Sequence, residues 1–431
     1  MEELIRFLSL SDPNVRYVAL GSMLLTGSSA IVGSFAFLKK KALVGDAIAH
    51  AVLPGICLAF MLSGNKDPLV LIPGAMFTGW LSVISINYIT RYSKLKEDTA
   101  IALVLAVFFG IGSFLLTIIQ QSGNAAQSGL NTFLFGKAAA LVGDDLYIFS
   151  FVALFLIIVV RLIFKELTLL AFDPSFATAI GLPVKWIEFT LTSLTVLAVV
   201  VGIQSVGVVL MAAMLITPAA AARFWTHRIK KMVLLSAMFG AFSGLSGAYI
   251  SYLAPAMPTG PWIVVVISFI AFFSFFFAPE KGVIYRLITQ KKLKRKIIDE
   301  NILKALYMII EKEGKGAALN SVNDIQKHRK FTLTPLLYGL KRLKKEGYVK
   351  RRKDLWELTH EGVNKGRKIV KLHRLWEVYL TKYLRIAPDH VHDDAETIEH
   401  IITPELEEEL EKLLDYPTLD PHKSEIPYGH S

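Results

Sequence analysis

Apolar residues fall into nine runs over the first 280 positions, at 17–38, 42–62, 68–90, 99–119, 146–164, 186–203, 206–222, 232–253 and 262–278. Each is long enough, or nearly so, to cross a hydrocarbon core of about 30 Å as a helix. Small residues recur among them, as at Gly240, Ser243, Gly244 and Gly247, which suits close helix–helix contact. The semi-polar stretch 131–143 is open to three readings: a surface helix, a re-entrant piece or part of a span. Past residue 296 the period changes. Ile298, Ile302, Leu306, Ile309 and Ile310 mark an amphipathic helix that stops near Gly314. Ser321 opens a second helix, through Lys327, and Thr332-Leu333-Thr334-Pro335 opens a third, which runs to Gly347. Residues 348–359 then alternate as a short two-stranded wing with its turn at Arg352-Lys353-Asp354, and from Glu361 the chain is helical again.

The pattern predicts a mainly α protein. A polytopic α-helical membrane domain of about nine spans (1–280) leads through a basic juxtamembrane linker (281–296) to a winged helix-turn-helix domain (297–360) and a second helical domain (361–431). Charge divides the chain at the same places. Residues 1–280 carry 17 basic and 13 acidic side chains, 281–360 carry 21 and 8, and 361–431 carry 9 and 15. The linker's charge suits anchoring against anionic lipid. If the spans alternate, 13 of the first 17 basic residues fall on one side, which assigns that side, and everything after residue 278, to the cytoplasm. No cleavable signal peptide is expected, because the first apolar run is too long for one. The single cysteine, Cys57, excludes an internal disulfide or a thiolate metal cluster.

The candidate chemistry of the membrane part is Asp46 and His50, one helical turn apart in the second apolar run. Ionisable groups in hydrocarbon are costly unless paired, hydrated or bound to something. Pro54 lacks the N–H that would bond the His50 carbonyl, and so frees that oxygen while bending the helix. A carboxylate, an imidazole and a loose carbonyl suit a hard-to-borderline divalent cation. The alternative is a structural Asp–His pair that fixes helix packing. Between two spans, Phe172–Pro183 reads as a short helix started at Asp173-Pro174 and stopped at Gly181, which a cytoplasmic partner could grip. The chain has no G-x-x-x-x-G-K-[S/T] phosphate loop, so it is not expected to hydrolyse nucleotide itself.

Four stretches, GDAIAHAVLPG (45–55), FLFGK (133–137), FDPSFATAIGLP (172–183) and QSVGVVLMAAMLITPAAAARF (204–224), make residues 1–280 resemble the membrane subunit of ABC-type importers for manganese, zinc or iron. The resemblance implies a permease, not an enzyme, in a bacterial cytoplasmic membrane. It implies pairing with a second permease subunit, identical or paralogous, and an external metal-binding protein. It also implies a separate ATPase that docks on the helix at 173–183, with Asp173, Ala177 and Gly181 as coupling positions. Asp46 and His50 match the polar positions of the family's motif, so that two such pairs could face each other across the subunits. A rival is a permease for a chelated metal such as haem, a siderophore or cobalamin.

In the soluble part, Lys341, Arg342, Lys344, Lys345, Arg351 and Arg352 load the third helix and the wing with charge suited to DNA phosphates. A clamp on the membrane surface or on an acidic partner is the alternative. Further on, His373 and Glu377 are i,i+4, and His392, Glu396, Glu399 and His400 form a second group of nitrogen and oxygen donors, a set that suits manganese, iron or zinc. The bland reading is an acidic dimerisation helix with incidental histidines. With HRLWEVYL (373–380), VHDDAETIEH (391–400) and PHKSEIP (421–427), residues 297–427 resemble the diphtheria-toxin-repressor and manganese-repressor regulators, which implies a metal-binding and dimerisation role for 361–431 and a regulatory Mn or Fe ion. One departure stands out. The positions where the family's first helix supplies metal ligands are here Asn301 and Lys304, and an ammonium cannot coordinate a cation. Three roles therefore stay open for the soluble part: metal sensor, DNA-binding repressor, acting at the membrane or after proteolytic release, or oligomerisation module.

Overall fold

A computed structural model of the chain describes residues 2–65, 67–121, 136, 143–253, 257–313, 319–386 and 402–428. The chain divides into two compact units, Met1–Arg286 and Leu287–Ser431. In the first, a short α1 (Glu2–Leu8) precedes α2 (Pro13–Leu38), α3 (Ala42–Ser63), α4 (Pro68–Tyr92), α5 (Glu97–Gln121) and α6 (Gly143–Leu162). Two short helices follow, α7 (Phe164–Phe172) and α8 (Pro174–Ala179), then α9 (Val184–Val206), α10 (Val208–Trp225), α11 (Ile229–Leu253) and α12 (Thr259–Phe277). Every apolar run is thus a helix. Among the described residues eight are long and apolar enough to cross a membrane, and α10 contributes a shorter apolar stretch, Leu210–Trp225. Gly207, at φ 88°, separates α9 from α10, a backbone conformation that a side chain would resist.

α2 is the hub, packing against α6, α9, α10 and α11. Small residues make this possible. A Cβ at Gly244 would fall 2.6 Å from the Ser22 carbonyl oxygen, and Ser236 Oγ donates to the Ala30 carbonyl at 3.1 Å. Gly33 lies against α10, where an added Cβ would meet the Leu215 carbonyl oxygen at 1.7 Å. Gly33→Val is therefore expected to push α2 and α10 apart, destabilising the first unit by roughly 1–3 kcal/mol. Gly110→Ala, with nothing within 4 Å of the new methyl, should leave stability unchanged or slightly raised. Thermal unfolding of the purified protein in detergent compares the two.

In the second unit, α13 (Val283–Glu313) begins just before the division and continues unbroken. The segment 281–296 is thus nearly all helix, because no Gly or Pro interrupts residues 283–313 and Lys and Arg are good helix formers. α14 (Val322–His328) starts at a capping box of Ser321 and Asp324. α15 (Leu333–Lys345) leads into β1 (Val349–Arg352), which pairs antiparallel with β2 (Leu355–Leu358) in the register Val349 to Leu358. The order helix, short helix, helix, hairpin is compatible with a winged helix. Its core joins Ile302, Leu306, Ile325, Leu340 and Trp356. α16 (His360–Tyr383) then packs on α17 (Pro404–Leu414) through Leu375, Leu410, Leu414 and Ile426. Lys371 bonds Glu407 and Glu411 at 2.6 Å each across that contact. Burial disfavours both charges, yet the two carboxylates hold the Lys371 ammonium above its ordinary pKa, and Lys371 and Lys368 hold Glu407 below its own.

Candidate functional site

α3 places Asp46 and His50 on one face, with Asp46 Oδ1 3.7 Å from His50 Nε2. That is too long for a hydrogen bond. The side chains are 37% and 18% exposed, on a stripe of α3 that the chain leaves half open beside Leu43. The ring of His50 packs edge-on against Phe109 of α5, with centroids 5.1 Å apart. Phe109 reaches it because Gly112, one turn later, lets α5 close on the bend in α3: a Cβ there would meet Leu53 and Pro54 at 2.9 Å. His50 Nδ1 is buried and has no hydrogen-bond partner among the described residues. A buried ring nitrogen without a partner is costly, and here its other nitrogen faces a carboxylate with room between them. Two donors fall short of the four to six that a divalent cation takes. Among the described residues no third His, Cys, Asp or Glu joins them.

A chamber of about 150 Å³ lies beside the same helix, lined by Val44, Ile48, Asn87 and Thr195, but neither Asp46 nor His50 lines it. Positions 44 and 48 are on the far side of α3 from 46 and 50. At its rim Lys39 pairs with Glu188, and the Lys39 side chain is only 10% exposed. By sequence Lys39 is one of three interchangeable cytoplasmic lysines. Nothing in the local pattern pairs it with a residue 149 positions away.

The loop helix forms where expected. Asp173 Oδ1 accepts the Phe176 N–H at 2.8 Å, Pro174 occupies the first turn, and Gly181 ends it at φ 84°. Asp173 and Gly181 thereby shape the helix, and Ala177 is fully buried against its own chain. The outward ridge is Phe172, Phe176 and Ile180, all more than half exposed, and sequence reasoning missed it. Spacing alone could not have found it, because Phe172 ends α7, Phe176 lies on α8 and Ile180 caps that helix, so the three do not share one helix.

In the second unit only part of the basic set is free. Lys341, Lys344 and Lys345 are exposed on α15, with Lys341 over the Tyr338 ring. The Arg342 side chain is 31% exposed and already partnered. It grips Asp299 of α13 through two bonds of 2.9 and 2.7 Å, which raise its pKa further. Arg351 bonds Asp354 at 2.8 Å and Arg352 lies 3.3 Å from Glu357. His373 Nε2 and Glu377 Oε1 are 3.0 Å apart on α16, their side chains 5% and 2% exposed. The pair fits part of a nitrogen–oxygen cation site. His392, Glu396, Glu399 and His400 lie outside the described residues, as do the stretch 133–137 apart from Gly136 and most of 131–143. On α13, Asn301 is buried with Oδ1 lacking a hydrogen bond, and Lys304 is 2% exposed. Its ammonium does not fit a metal ligand's place.

Residues 11–278 match the model described as the ABC 3 transport family. Residues 359–428 match that of the iron-dependent repressor metal-binding and dimerisation domain. A manganese transport system membrane protein of Bacillus subtilis is 39% identical over 382 residues, covering 88% of this chain and 87% of its own. A zinc transport system membrane protein of Treponema pallidum is 41% identical over 283 residues, 66% of this chain and 95% of its own. Among solved structures, PsaBC from Streptococcus pneumoniae is similar at 32% identity and a TM-score of 0.59, covering 67% of this chain and 99% of its own.

Proposed function

The chain belongs to the ABC 3 transport family, and from that premise we propose that it conducts a bare divalent cation (Mn, Zn or Fe) into the cell with Asp46 and His50 as transient ligands. One observation carries this reading: on the half-open face of α3 a carboxylate stands 3.7 Å from an imidazole whose other nitrogen is unengaged. A face left open by one chain is where a second permease subunit, the same or a paralogue, would add the missing donors. Asp46 would offset the ion's charge and His50 would supply a borderline nitrogen, giving a site strong enough to admit a cation and incomplete enough to release it. Two side chains close together suit a bare ion better than a bulky chelate.

An external metal-binding protein would deliver the ion, and a separate ATPase would drive the cycle from the cytoplasmic side through the Phe172, Phe176 and Ile180 ridge. The membrane is the bacterial inner membrane, with the second unit in the cytoplasm. There His373, Glu377 and His392, or else Glu396, Glu399 and His400, would hold a regulatory Mn or Fe ion. Lys304 cannot ligate, so any link from that ion to the winged unit and to DNA runs through other contacts.

Uptake of radiolabelled Mn, Zn and Fe, measured in cells with and without this gene and its ATPase partner, tests the reading. Accumulation of at least one of these ions should require both genes. Equal accumulation of all three without them overturns it.

A further inference from the structure

Where α6 and α11 flank α2, the first unit carries an open groove of about 380 Å³. Its apolar part includes Ile31 on α2, Ile157 and Val160 on α6 and Val233 on α11. Its mouth is closed by two cations, Arg161 in the last turn of α6 and Lys230 in the first turn of α11. Both are exposed, and neither has a hydrogen bond or ion pair among the described residues. Arg161 complements the negative end of its own helix, but Lys230 does not: it and Lys231 crowd the positive end of α11, whose first turn has no acid. The mouth therefore holds two side-chain cations and a helix end of the same sign, and neither cation is paired with a carboxylate among the described residues.

The two charges also mark a level. They stand where one membrane helix ends and another begins, which is the depth of lipid headgroups. Ile157 is about one turn inward from Arg161, roughly 6 Å, and Val233 is nearly one turn inward from Lys230, roughly 4.5 Å. Leu234, 63% exposed, continues the apolar wall outward on α11. The order from mouth to interior is positive and then apolar, the reverse image of an anionic phospholipid.

We propose that this groove binds one anionic phospholipid, with its phosphate between Arg161 and Lys230 and an acyl chain along α2. A soluble anion would use the mouth and leave the apolar wall unused, and a neutral lipid would leave the two cations uncompensated.

The full chain, purified in detergent, is titrated with phosphatidylglycerol or with phosphatidylcholine of the same acyl chains, and retained lipid is counted by native mass spectrometry. About one tightly held phosphatidylglycerol per chain is expected. Arg161→Gln with Lys230→Gln should weaken it at least tenfold. Lys94→Gln with Lys96→Gln, which removes two exposed cations that do not line the groove, should leave it unchanged. Ala237→Trp, which fills the inner groove and spares both cations, should weaken it as well. Equal loss from the Lys94/Lys96 pair would reduce the effect to diffuse surface charge and overturn the proposal. So would equal retention of phosphatidylcholine, displacement by millimolar inorganic phosphate, or full retention by the Arg161/Lys230 variant. If Ala237→Trp fails to fold, the two charge variants still decide, since both alter only exposed side chains.

Discussion

Cells carrying Asp46→Ala with His50→Ala should lose metal uptake by about 100-fold or more while the subunits still assemble. Changes that only reorient metal ligands cost roughly 10–100-fold in affinity, and this variant removes both ligands that the chain offers. The two side chains are partly exposed and hold nothing else in place: 3.7 Å separates them, and His50 touches Phe109 only edge-on. Their loss should therefore leave the fold intact. The single changes separate charge from shape. Asp46→Asn keeps the outline and removes the charge, so it should lower uptake of all divalent ions. His50→Gln replaces a borderline donor with a hard one and should reduce zinc uptake more than manganese uptake. Co-purification of the permease with its partners, measured alongside uptake, shows whether assembly survived. Normal transport by the assembled double variant would place the ion's route elsewhere.

The second large effect is expected in the other unit. Arg374, 6% exposed, donates to Glu311 at 2.8 and 2.6 Å and approaches Asp420 at 3.4 Å, so one guanidinium ties α13, α16 and the chain after α17 together. Burial works against its charge, yet the carboxylates hold its pKa above the ordinary value. Arg374→Met keeps the volume but leaves Asp420 buried without its cation. Removing one partner of a buried pair costs about 3–5 kcal/mol. Glu311 is 37% exposed and can rehydrate, which points to the lower end. Hydrogen exchange of the intact protein should then speed up by roughly 100-fold, the equivalent of about 3 kcal/mol, in α13 near Glu311, in α16 and around Asp420. Exchange in the first unit should not change. Unaltered protection in all three segments would mean that the apolar contacts hold this region without the arginine.

The limits of the linear pattern are plain in particular residues. The nine long apolar helices of the first unit were legible because a membrane helix satisfies its own backbone, so a long apolar run has one conformation open to it. Asp46 and His50 were legible for a related reason, since ionisable groups in such a run need an explanation that i,i+4 spacing supplies. The loop helix could be read because Asp173, Pro174 and Gly181 act on their immediate neighbours. On the sequence Arg342 belongs to a basic cluster, but Asp299, 43 residues away, accepts from its Nε and Nη2. Lys39 and Glu188 escaped notice for the same reason.

The sequence by itself determined that the long apolar runs are helices and which residue types could meet a cation, because those properties depend on neighbours a few positions apart. Only the tertiary structure decided which charges are already spent on partners inside the chain, that the Asp46 and His50 face is left half open while the opposite face of α3 borders a chamber, and that Phe172, Phe176 and Ile180 point outward where Ala177 does not. Those outcomes depend on which helix packs on which, a matter set by close approaches at residues such as Gly33, Gly112 and Gly244 between segments far apart along the chain.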